Sequence, residues 1–115
     1  MRDILLYLEE YLTLDGNVPG NEIIDEFQKT KDYTRADLIY SMRKLKEAEF
    51  VERSHIMFKD YPVFHDITML GYEFLENVRS EDVWNKVKEK AKNVGSYSIP
   101  VLMKIATKTV LDLLM

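Results

Sequence analysis

The sequence predicts a mainly α (α+β) fold, in which three helices and a small β-hairpin are followed by three further helices. Three observations carry this expectation. Apolar residues recur at helical spacing in six segments. Two short runs rich in strand formers flank a four-residue turn, Lys59-Asp60-Tyr61-Pro62. All three Pro and three of the four Gly fall at the boundaries of these segments, so punctuation and periodicity agree.

The first helix is expected over Arg2 to Leu14, because Ile4, Leu5, Leu8, Tyr11 and Leu12 share one face. Asp15-Gly16-Asn17 ends it, Val18 leaves room for a scrap of strand, and Pro19-Gly20 reads as a turn. Asn21 is placed to cap a second helix that fades near Thr30, with Ile23, Ile24 and Phe27 on its apolar side. Thr34-Arg35-Ala36-Asp37 resembles a capping box and opens a third helix over about 34–49. Leu38, Ile39, Met42 and Leu45 fall on one arc of it, and Ala36, Asp37, Tyr40, Arg43, Lys44 and Glu47 on the opposite arc. Phe50 to Phe58 and Val63 to Ile67 form the hairpin, over about 50–67. Thr68 opens a fourth helix (about 68–79) that packs through Leu70, Phe74, Leu75 and Val78. Ser80 caps a fifth, striped by Val83, Trp84, Val87, Ala91 and Val94 and stopped by Gly95. Ser98-Ile99-Pro100 starts a sixth, since Pro is tolerated in a first turn.

Helix, scrap of strand, helix, helix, hairpin is the order of a winged helix-turn-helix, with the third helix as recognition helix and the turn near Lys59 as wing. The hairpin needs a neighbour to cover its apolar face, and a helical trio supplies one. The expected organisation is a core at 1–79 and a three-helix C-terminal extension whose part beyond the core, 80–115, is either the same domain or a dimerisation element.

At Thr68 the sequence also resembles a known group. Ile67-Thr68-Met69-Leu70-Gly71-Tyr72-Glu73-Phe74-Leu75-Glu76 is similar to the LTxxGxxFL helix that follows the wing in many winged-helix proteins. Continued through Val78-Arg79-Ser80-Glu81-Asp82-Val83-Trp84-Asn85-Lys86-Val87-Lys88, it resembles a family of small bacterial and prophage proteins, a domain of unknown function related to the YjcQ-like winged-helix proteins. The resemblance is strongest over 67–92. It implies a winged-helix fold and a mobile-element setting, and it carries no activity and no set of functional residues.

Composition narrows the chemistry. A chain of 115 residues fits one domain of about 100–150 residues. The absence of Cys removes disulfides, thiolate metal sites and thiol nucleophiles. There is no Gly-rich phosphate loop and no Gly-x-Ser-x-Gly elbow. Tyr40 and Lys44 have a Tyr-x-x-x-Lys spacing, but no dinucleotide fingerprint accompanies it. No enzyme activity, cofactor, metal or small-molecule substrate is therefore expected. The C-terminal stretch is interrupted by Lys104, Lys108 and Asp112 at four-residue spacing, a polar stripe and not a bilayer span. The chain reads as soluble and cytoplasmic, with no membrane partner.

Several residues have both a bland and a functional explanation. His55 and His65 would face each other if the hairpin paired symmetrically about Asp60, although a one-residue shift destroys that pairing. Trp84 is read as packing against the fourth helix, and Gly71 as a place where another backbone comes close. Lys86, Lys88, Lys90 and Lys92 alternate by two and read as a solvated surface.

Double-stranded DNA is the first partner considered. Arg35, Tyr40, Arg43 and Lys44, with Thr34 at the helix start, are candidates for the groove, and Lys31 and Lys59 for phosphates. Charge opposes this. Asp37 and Glu47 cancel Arg43 and Lys44, and residues 1–78 hold nine Lys and Arg against sixteen acids, a net of −7. Residues 79–115 hold seven against four, a net of +3. A weak basic footprint implies weak or narrowly placed binding. The alternative is a protein-interaction module or homodimer that uses Leu102, Met103, Ala106, Val110, Leu113 and Leu114 of the sixth helix as its interface.

Overall fold

The computed structural model describes residues 1–12, 17–52, 57–58 and 61–114. They form α1 (Arg2–Tyr11), β1 (Val18–Pro19), α2 (Gly20–Thr30), α3 (Arg35–Glu47), β2 (Met57–Phe58), β3 (Tyr61–Phe64), α4 (Met69–Val78), α5 (Glu81–Val94) and α6 (Ile99–Leu114). The protein is thus mainly helical with one small antiparallel sheet, ordered β1-β3-β2. It divides within α4 into two compact units, Met1–Gly71 and Tyr72–Met115.

In the first unit the periodicity of α1, α2 and α3 places most of the buried side chains, but Tyr11, read onto the apolar face of α1, is 53% exposed because the helix ends there. Ile4, Leu5 and Leu8 of α1, Ile23, Ile24 and Phe27 of α2, and Leu38, Met42 and Leu45 of α3 are buried. Each such side chain contributes about 1.5–3 kcal/mol of transfer free energy, so the three stripes hold the unit together. α1 is shorter than expected: it stops at Tyr11, with Leu12 extended. Asp15 and Gly16, read as its terminators, lie outside the described residues.

The entry to α2 also departs from expectation. Val18 and Pro19 pair with Phe64 and Val63, so Pro19 is a strand residue and α2 begins directly at Gly20. Pro19 takes the cap position with no side-chain cap bond. Asn21 therefore sits inside the first turn and does not cap it. Its Oδ1 is buried with no hydrogen-bond partner among the described residues. The sheet contact holds the chain extended up to Pro19, which leaves no room for a turn before the helix.

The hairpin register is Met57↔Pro62 and Phe58↔Tyr61. Tyr61 and Pro62 are thus strand residues and not part of the turn. Pro is tolerated at 62 because β1 reaches only Phe64 and Val63, leaving Pro62 a single strand neighbour. This register is also one residue away from pairing symmetrically about Asp60, the condition for facing histidines. Below the hairpin, Val51 bridges Ile67 and the Glu52 N–H donates to the Asp66 carbonyl at 3.0 Å.

The second unit holds α5 packed on α6. Val87 and Ala91 of α5 and Leu102 and Ala106 of α6 are buried. Ser80 occupies the α5 cap position, but its hydroxyl makes no cap bond. Gly95 closes α5 in the left-handed region at φ 81°, its N–H donating to the Ala91 and Lys92 carbonyls. Trp84 is half-buried and meets Phe74 edge-on at 6.5 Å, the packing role expected of it.

Candidate nucleic-acid interface

α3 is held in place from both ends. At its start, Thr34 Oγ1 accepts from the Asp37 N–H at 3.1 Å, the side-chain cap that the Thr-x-x-Asp spacing predicts. Just before it, Tyr33 stacks on Phe27 of α2 at 5.9 Å. The Tyr33 hydroxyl donates to Asp3 Oδ2 of α1 at 2.5 Å. Burial, and then that bond to Asp3, push the Tyr33 phenol up to about 12. Phe27 also receives Tyr7 edge-on at 5.6 Å, so one aromatic cluster ties α1, α2 and the α2–α3 connection together. Nothing in the local spacing announces the Tyr33–Asp3 bond, whose partners lie thirty residues apart.

At its far end, α3 gives way to Ala48 and to Glu49, which has φ 60°. The Phe50 N–H then donates to the Leu45 carbonyl at 3.0 Å. The Thr68 hydroxyl donates to the Glu49 carbonyl at 2.5 Å and accepts from the Gly71 N–H at 3.1 Å, and the Thr68 N–H donates to the Phe50 carbonyl at 3.0 Å. The Ile67-Thr68-x-x-Gly71 motif is therefore a clamp that joins the end of α3 to the start of α4. A β-carbon on Gly71 would meet the Phe50 carbonyl oxygen, the close backbone approach expected there.

Between these anchors α3 buries Leu38, Met42 and Leu45 and exposes Ala36, Asp37, Tyr40, Arg43 and Glu47, the arc read from the sequence. Tyr40 is 60% exposed. Lys44 lies beside it, its Nζ 5.3 Å from the Tyr40 ring centroid and 3.0 Å from Glu47 Oε2. The hydrogen bond to Glu47 raises the Lys44 ammonium above its ordinary value. Lys44 is thus already matched by an acid, whereas Arg43 has no ion pair among the described residues.

The other candidates scatter. Arg35 is exposed at the first position of α3. Lys31 is exposed at the end of α2, with its Nζ over the Phe27 ring at 5.8 Å. Lys59 and His55 lie outside the described residues. His65 Nδ1 pairs with the Asn17 side chain. Among the described residues no group of three or more His, Cys, Asp or Glu is arranged to hold a metal. Among the described residues no helix is long and apolar enough to cross a membrane.

The residues proposed for an α6 interface divide into two sets. Leu102 and Ala106 are buried, and Met103 and Val110 are half-buried. Leu113 and Leu114 are exposed by 55% and 78%, joined by Leu111 at 53%. α5 packs on α6, and the most exposed apolar side chains of α6 are those of its last turns.

The fold thus defines a small, mainly helical protein with a three-stranded sheet, in which α3 presents one polar face from a helix pinned at both ends. The family model described as Hypothetical protein (DUF2513) matches residues 1–98, and the chain belongs to that family, a domain of unknown function. No curated protein and no solved structure matches it.

Proposed function

We propose that this protein is a winged helix-turn-helix DNA-binding regulator of a prophage type, acting in the cytoplasm and without enzymatic chemistry. In this reading α2 and α3 form the helix-turn-helix, β2 and β3 the wing, and the kinship with YjcQ-like winged-helix proteins follows. The supporting observation is the α3 face: Tyr40 and Arg43 project outward from a helix whose start and end are each fixed by named hydrogen bonds. A rigid helix with an exposed guanidinium is what major-groove contact requires. Arg35 and Thr34 at its first turn, Lys44 beside Tyr40, and Lys31 and Lys59 toward the backbone complete the proposed surface.

The test is fluorescence anisotropy of a labelled random-sequence duplex at low salt, with wild type and Arg43→Ala. The proposal expects measurable binding that weakens with salt, and in the variant a lower affinity with a salt slope reduced by about one unit. Equal affinity of the two proteins would count against it.

A second reading, a protein-interaction module or homodimer built on α6, is favoured by the exposure of Leu111, Leu113 and Leu114. Sedimentation of wild type and of Leu113→Lys/Leu114→Lys tests it, since a shared mass at all concentrations would remove it.

A further inference from the structure

We propose that the α5–α6 hairpin carries a second nucleic-acid surface, in which Lys86, Lys90, Lys104 and Lys108 contact the phosphates of a duplex without reading its sequence. From 86 to 108 the chain holds six lysines and a single acid, Glu89, inside a molecule whose formal net charge is −4. All six lysines are exposed. Among the described residues, none of the four named lysines forms an ion pair. Lys44 of α3 differs in this respect, since Glu47 already holds it.

Spacing and packing turn these charges into a surface. Lys86 and Lys90 lie four apart on one flank of α5, and Lys104 and Lys108 lie four apart on α6. Lys90 Nζ donates to Thr109 Oγ1 at 3.1 Å, which sets that flank of α5 against α6 one residue from Lys108. Ammonium groups are point charges without the fork geometry that reads a base, so their partner is the phosphodiester backbone. An anionic bilayer fits less well. Surface helices that bind it insert an apolar side, and on α5 Val87 and Ala91 are 0% exposed and Val83 and Trp84 half-buried, which leaves Val94 at the helix end as the exposed member of that stripe.

This inference stands apart from the α3 reading, and one experiment separates them. Anisotropy of a labelled random-sequence duplex is measured from low to moderate salt with four full-length proteins: wild type, the quadruple Lys→Gln variant at 86, 90, 104 and 108, the matching quadruple Lys→Arg variant, and Arg43→Ala. Each phosphate contact adds about 0.9 to the slope of log affinity against log salt. The Gln variant is expected to lose about 3.6 units of slope while the Arg variant keeps them, whatever Arg43→Ala does. A Gln variant within about one unit of wild type overturns the proposal, and if Arg43→Ala weakens binding in that case the α3 reading survives alone. Absence of duplex binding by wild type overturns it too, as does wild type that binds phosphatidylserine vesicles and ignores the duplex.

Discussion

Gly71 lies so close to Phe50 that a β-carbon on it would stand 2.2 Å from the Phe50 carbonyl oxygen and 2.7 Å from Ile67 Cγ2. The obstruction is backbone and cannot swing aside. In an open helix Gly→Ala gains about 1 kcal/mol, but here the sign reverses. Gly71→Ala is expected to destabilise the protein by about 2–3 kcal/mol as an overpacked site. Urea denaturation checks this, and a variant as stable as wild type would mean that α4 does not start against Phe50.

Glu49 and Gly95 both lie in the left-handed region, at φ 60° and φ 81°. A left-handed non-glycine residue costs about 1–2 kcal/mol, while glycine costs about 0.5–1 kcal/mol in chain entropy. Glu49 is exposed, and it is its backbone carbonyl that accepts from Thr68. Glu49→Gly is therefore expected to stabilise by about 0.5–1 kcal/mol. Gly95→Ala, which meets no atom within 4 Å, is expected to destabilise by about 1 kcal/mol through its backbone alone. Paired thermal melts read both signs.

The raised Tyr33 phenol predicts an alkaline weakness. In the unfolded chain it ionises near its ordinary value of 10.0, and in the fold at about 12. Its contribution to stability is complete below 10, then declines as pH rises toward about 12, because only the unfolded state gains from releasing the proton. Tyr33→Phe is expected to flatten that part of the decline in stability over this window. Superimposable pH profiles for wild type and variant would contradict the Tyr33–Asp3 bond.

Glu47 competes for the cation that α3 would offer a phosphate. Glu47→Gln releases Lys44 and is expected to strengthen random-duplex binding while steepening the salt slope by about one unit. Anisotropy at several salt concentrations reads both quantities, and an unchanged slope would show that Lys44 does not face the nucleic acid.

Much of this was legible in the sequence where physics acts locally. The 100° advance of a helix places Tyr40 and Arg43 opposite Leu38 and Leu45 without any tertiary knowledge. Thr34 follows from the capping spacing, Gly95 from the helix-stop rule, and Gly71 from a glycine set inside an apolar helix pattern. The illegible parts depend on distant partners. Pro19-Gly20 reads as a turn because nothing nearby reveals that Val63 and Phe64 will pair with Val18 and Pro19. Pro62 reads as a turn residue for the same reason, since its tolerance in a strand depends on how far β1 extends. Tyr33 and Asp3 meet only after α1 has docked. The clamp from Thr68 to Glu49 lies between these cases: the motif was visible, but its hydrogen-bond partner at the end of α3 was not.

The central claim, that the outward side of α3 meets nucleic acid, is tested most directly by mapping amide NMR shifts of the full-length protein during titration with a random-sequence duplex at low salt. The account predicts that Ala36, Tyr40, Arg43 and Glu47 shift together while the buried Leu38 and Met42 move little. A titration in which those four signals stay fixed while signals from Leu111 to Leu114 move, or in which none moves, would contradict it.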